Sequence, residues 1–140
     1  MVGLGPGARS YTRSLHYSTE YAVGQTGVKK IIQNFNERTT NQFTVADFGA
    51  TLDLAEQKRR YVIKSLLRME GVSFAKYQRR FGSSLGIDLP QLNEMSELGL
   101  LAEDTNFLRL NEAGLAYSDT IGPWLYSDLV TSTMDACELT

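Results

Sequence analysis

Between residues 53 and 122 the chain carries a series of paired helix start and stop signals, which limit its fold more than any other feature. Asp53 with Glu56 is a capping-box arrangement, in which each side chain satisfies an amide left open at a helix start. Ala55, Val62, Ile63, Leu66 and Leu67 then recur at helical spacing, and Gly71 is expected to close this helix as its C′ residue. Ser73 can cap a second helix over Phe74–Phe81, which stops at Gly82. Asp88 with Gln91 makes another capping box, and Pro90 is tolerated because it falls in a first turn. Leu89, Leu92, Met95 and Leu98 give the third helix a stripe to bury, and Gly99 ends it.

The pattern changes after Gly99. Leu100–Glu103 and Phe107–Leu110 read as two strands around an Asp104–Asn106 turn. Asn111 caps a fourth helix that runs to about Ile121, where Gly122 and Pro123 break it, and Trp124–Cys137 is expected to form a last helix. Three helices followed by a hairpin is the order of a winged helix. The expected class is therefore α+β, mostly helical, with residues 51–140 as a winged-helix-like domain. Residues 1–50 read irregularly: Leu15–Ser18 as a short strand, Gly27–Asn36 as a short helix, and Glu37–Gln42 as a loop. No periodic run there is long enough to build a core.

Hydrophobic and charged contents of 42% and 21% are those of a globular chain rather than a disordered one. No uncharged stretch is long enough to span a bilayer, and no basic-then-apolar leader precedes the first glycines, so a cytoplasmic protein is expected. The single cysteine, Cys137, cannot form an internal disulfide, and it and the single histidine, His16, lack partners of ligand type nearby. No metal site is expected within the chain.

A net charge of −2 conceals a strong asymmetry. Residues 53–80 hold eight Lys and Arg against three carboxylates, a balance of +5; residues 88–112 hold six carboxylates against Arg109, a balance of −5. In a DNA-reading winged helix the segment from Asp88 to Leu98 would enter the major groove. Its polar positions are Gln91, Asn93, Glu94, Ser96 and Glu97, with no Lys or Arg to neutralise phosphate or read guanine. DNA is not an expected partner. For the basic helix, the plain reading is a solvated face with Glu56 and Arg60 paired; the functional reading turns some of its cations toward an anionic ligand or a neighbouring domain.

The stretch Gly3–Tyr11, "GLGPGARSY", is compatible with a dinucleotide fingerprint. It lacks the strand, helix and distant acid that such a site needs. A turn motif without its strand is expected where the rest of a sheet lies outside the sequence. The stretch resembles the G-x-G-x-x-A-x-S segment near the end of the catalytic barrel in oxygen-independent coproporphyrinogen III oxidases and related radical S-adenosylmethionine proteins, a group that includes haem chaperones. "EQKRRYVIKSLL" (Glu56–Leu67) is similar to the arginine-containing helix that opens their C-terminal domain, and Leu89–Leu125 resembles the closing block with its "GLL" turn, hairpin and polar-x-x-Gly helix start.

The resemblance implies that residues 1–50 are the end of a radical S-adenosylmethionine barrel and linker, with residues 51–140 as the C-terminal domain. Gly3, Gly5, Gly7, Ala8, Arg9 and Ser10 would then lie near bound cofactor, with a structural turn joining barrel to tail as the plainer reading. Arg59, Arg60 and Arg68 would face an anionic tetrapyrrole substrate. The parent would use a [4Fe–4S] cluster and S-adenosylmethionine, for which this chain lacks the defining cysteines. The chain alone is thus expected to bind no cofactor, to hold no catalytic residue, and to need the barrel as its partner. An apolar patch exposed without that barrel would favour a homodimer. The competing reading is a stand-alone winged-helix regulator or protein-interaction module.

Overall fold

The computed structural model describes residues 1–22 and 24–135. The chain divides into two compact units, Met1–Leu54 and Ala55–Asp135. The first unit holds strands β1 (Arg9–Tyr11) and β2 (Leu15–Ser18), helix α1 (Gln25–Asn36), a 3-10 turn (Thr40–Thr44) and strand β3 (Phe48–Thr51). The strands form one antiparallel sheet in the order β1-β2-β3, with Ser10 opposite Tyr17 and His16 opposite Ala50. Burial is sparse. Ser10 and Ile31 are the buried residues described in this unit, while all four residues of β3 are exposed.

In the second unit, helix α2 (Leu54–Leu66) is followed by strand β4 (Val72–Ser73) and helix α3 (Phe74–Phe81). Short helices α4 (Leu85–Asp88) and α5 (Leu92–Glu97) come next, then strand β5 (Phe107–Leu108). Helices α6 (Glu112–Ala116), α7 (Ser118–Trp124) and α8 (Asp128–Asp135) end the described chain. Cys137 lies outside the described residues. No helix among the described residues is long and apolar enough to cross a membrane.

Val62 and Leu66 of α2, Val72, Tyr77 of α3 and Leu92 and Met95 of α5 form the centre of the core, closed by Ile121 and Leu125. Helix α3 follows its local code. The Ser73 hydroxyl accepts from the Lys76 amide, and Gly82 ends the helix in the left-handed region with φ 74°.

Other elements depart from the sequence expectations. Helix α2 ends at Leu66, so Gly71 is not its C′ residue; with φ 70° it turns the chain into β4. A Cβ there would overlap the carbonyl oxygen of Leu108, which packs against it as β4 pairs with β5. The expected hairpin narrows to a single bridge, Leu101 with Leu110, because β5 takes β4 as its strand partner. Asp104 supports the turn by accepting from the amides of Asn106 and Phe107. The helix expected from Asn111 to Ile121 divides in two at Tyr117. Pro123 lies near the end of α7 instead of breaking it, so its missing N–H removes a single helical bond. Residues 124–135 are likewise not one helix, since α7 ends at Trp124 and α8 starts at Asp128.

Asp88 shows the largest change of role. It does not cap α5, whose start carries no side-chain cap bond. One carboxylate oxygen accepts from Lys58 Nζ at 2.7 Å, and the other accepts from Tyr77 Oη at 2.9 Å and from the Ser83 hydroxyl. Lys58 also donates to Ser83 at 2.9 Å. The cluster joins α2, α3 and α4. Burial pushes the Asp88 carboxyl upward, but bonds from Lys58, Ser83 and Tyr77 and the charge of Lys58 outweigh it and hold the group below its ordinary value. Burial and the Asp88 carboxylate push the Tyr77 phenol strongly upward.

Asn111 and Gly114 form a second tie. The Asn111 side-chain oxygen accepts from the Gly114 amide at 2.9 Å, while its Nδ2 donates to the carbonyls of Gly99 and Leu101 at 2.8 and 3.1 Å. A Cβ on Gly114 would overlap the Leu100 carbonyl oxygen.

Two outcomes follow for unfolding experiments. Gly114→Ala gains about 1 kcal/mol of helix propensity but forces the Leu100 backbone away, so a net loss of about 1–3 kcal/mol is expected in urea unfolding. Asp88→Asn is expected to cost about 2–4 kcal/mol near neutral pH. Since the folded carboxyl titrates below its unfolded value, its stabilisation is complete above about pH 4 and drains away as the pH falls further. The substitution should therefore flatten the acid limb of stability against pH.

Candidate functional site

Two features carry the residues to which the sequence assigned binding, one in each unit. In the first unit the glycine stretch curls beside the β1–β2 hairpin. Gly5 and Gly7 have φ of 107° and 70°, a region that favours glycine. The Ala8 amide donates to the Gly5 carbonyl at 3.2 Å and closes the turn. The Gly7 amide donates to Thr19 Oγ1 at 2.8 Å, and the Gly3 amide donates to Ser10 Oγ at 3.0 Å. Ser10 is 2% exposed. Before the turn, Met1 and Tyr11 exchange main-chain bonds at 2.8 and 3.0 Å.

The structure thus gathers Gly3, Gly5, Gly7, Ala8 and Ser10 into one backbone-held turn. Ser10 supports it from inside, while Arg9 stands exposed beside it. A Cβ at Gly5 would meet nothing within 4 Å, and one at Gly7 would meet only Tyr21, at 3.8 Å. Glycine at these positions answers a backbone requirement, and open space lies next to the turn. Thr19, which fastens Gly7, was not singled out from the sequence. It is the residue immediately after β2, so the strand assignment held the signal.

In the second unit the basic residues separate by what they touch. Lys58 is held by Asp88 and Ser83. Arg59 lies with Nε 3.6 Å from the Glu56 carboxylate, and its Nη1 donates to the Leu125 carbonyl at 3.3 Å. It therefore fastens α2 to the end of α7. Arg60 is half-buried on the next position of α2, and Arg68 is exposed in the turn beyond the helix end. The Arg80 guanidinium stacks over the rings of Tyr61 and Phe81, with centroids 5.1 and 5.4 Å away. Lys76 and Arg79 on α3 are exposed. Arg59 and Arg60 are thus neighbours on one helix, while Arg68 belongs to a different surface segment. Half-buried and exposed guanidinium groups in one segment suit anionic oxygens, either as forked pairs or as general attraction.

An iron–sulfur cluster does not fit this chain. Among the described residues there is no group of three or more His, Cys, Asp or Glu side chains placed to hold a metal ion, and the sequence supplies a single thiol.

Comparison with curated proteins and with solved structures gives no match. Residues 52–117 match the family model of the HemN C-terminal domain. That span runs from the start of α2 through the β4–β5 pairing to the end of α6, and includes both the Asp88 cluster and the Asn111–Gly114 tie. Over those residues the chain is similar to the HemN C-terminal domain, and the match supports a C-terminal part of a HemN-like protein.

Proposed function

We infer that this chain serves as the substrate-covering, non-catalytic C-terminal segment of a coproporphyrinogen III oxidase-like radical S-adenosylmethionine protein in the cytoplasm. The match over residues 52–117 carries this reading. In the parent, the family implies a [4Fe–4S] cluster and S-adenosylmethionine, which together supply radical chemistry. The residues of this chain bind and position.

Residues 51–140 then form a winged-helix-like cover, and residues 1–50 the end of the barrel. The sparse burial of the first unit supports a segment that completes its packing against the rest of that barrel. Gly3, Gly5, Gly7, Ala8, Arg9 and Ser10 border the cofactor. The positive φ values and the space beside Gly5 and Gly7 would let a ligand approach main chain there.

Arg60 and Arg68 meet propionate groups of an anionic tetrapyrrole, and Arg59 holds the helix that presents them. The excess of cations over residues 53–80 gives that surface the right sign. A stand-alone DNA-binding regulator is disfavoured by α5, which carries Glu94 and Glu97 and no Lys or Arg.

Titrating the chain into coproporphyrin III, followed by the Soret band, tests the substrate surface. Saturable, salt-sensitive binding is expected, weakened about tenfold by Arg60→Glu combined with Arg68→Glu. Binding of unchanged strength in that variant, with its thermal midpoint preserved, would remove the arginines from the reading. No binding by either protein would remove the tetrapyrrole surface from this chain.

A further inference from the structure

Helices α5 and α7 border an apolar cavity of about 350 Å³. Met95 and Ile121, 2% and 4% exposed, form its floor. Leu98, Tyr117 and Trp124 form its rim and are much more open, at 63%, 55% and 36%. Leu98 follows the helical spacing of Leu92 and Met95, yet it is not drawn into the core; it stands at the mouth of this cavity. Exposed apolar side chains gathered around a depression mark a binding surface more often than an ordinary exterior.

The charge around the cavity limits what can occupy it. Glu94 lines it, and α5, α6 and α7 together carry Glu94, Glu97, Glu112 and Asp119 without a single Lys or Arg. None of these four carboxylates is in an ion pair among the described residues, whereas Asp88 and Asp104 are held by Lys58 and Arg109. An apolar floor beside the Glu94 carboxylate, between helices that carry acidic residues and no cation, favours an occupant that brings apolar anchors and positive charge together. The cavity volume is at the low end for ligand sites. It suits one or two large side chains projecting from one face of a helix.

We propose that this cavity is a docking site for a basic amphipathic helix of a partner protein. Apolar residues at helical spacing enter between Leu98 and Trp124, and flanking Lys or Arg residues meet Glu94 and its acidic neighbours. The apolar contacts supply the affinity; the charges select the partner and speed its approach.

Trp124 is the sole tryptophan of the chain and reports directly on the site. The full chain is titrated with a tryptophan-free helical peptide of about 18 residues bearing leucines on one face and lysines on its flanks. Two control peptides replace all lysines by glutamate or all leucines by glutamine. A saturable blue shift of Trp124 is expected with the first peptide alone. Leu98→Gln and Glu94→Lys should each weaken it about tenfold. Both positions are exposed, so an unchanged thermal midpoint verifies that the variants fold.

Equal binding of the glutamate peptide would overturn the charge argument, and equal binding of the leucine-free peptide would overturn the apolar one. An affinity unmoved in both variants would place the contact elsewhere. A concentration-dependent shift of Trp124 without peptide, accompanied by dimer formation, would assign the face to a second copy and also overturn the proposal.

Discussion

The Asp88 carboxylate is the constraint on which the second unit depends. The helices around it are short: α4 and α5 contain four and six residues, too few to persist on their own propensity. They persist because one charged group, 12% exposed, accepts hydrogen bonds from α2, from α3 and from the turn between α3 and α4. A carboxylate so placed is costly to desolvate unless its oxygens are engaged. Here Lys58 engages one oxygen, and Tyr77 with Ser83 the other. Tyr77 joins the polar cluster to the core, being fully buried with its ring against Phe81.

Close passage of backbone past backbone is the second constraint. At Gly71 and Gly114 a carbonyl oxygen lies where a side chain would begin, Leu108 in one case and Leu100 in the other. Both carbonyls belong to the residues flanking the Asp104 turn. The two glycines therefore allow that segment to lie against the turn before β4 and against the middle of α6. The result is a small scaffold whose charge is divided: cations concentrate on α2 and α3, and α5, α6 and α7 carry carboxylates with no ion pair among the described residues.

Local signals made part of this legible. Ser73 and Gly82 bound α3 as their chemistry dictates, Asn111 caps α6, and the strand at Leu15–Ser18 and the helix ending at Asn36 are present. Long-range competition hid the rest. Asp88 and Gln91 have the spacing of a capping box, but Lys58 lies thirty positions away and makes the stronger, charge-assisted bond. Leu98 has core periodicity, yet α5 ends before it, and Gly99 turns the chain so that its side chain faces outward. The strand at Phe107–Leu108 was legible, but its partner was not, because strand pairing is decided by topology. The opening glycines have the composition of a turn, and they form one; the amides it commits to Ser10 and Thr19 became visible only with the hairpin register.

Asn111 adds a chemical consequence. Aspartate is ordinarily an equal substitute for asparagine at the start of a helix, since both offer a side-chain oxygen to the first turn. At this position the amide nitrogen matters as much, because it donates to two carbonyls from the segment before the Asp104 turn. Hydrolytic loss of that nitrogen as ammonia would leave the cap in place while setting an anion against two oxygen dipoles. The damage of chemical ageing at this residue would therefore fall on the joint between segments and spare the helix itself.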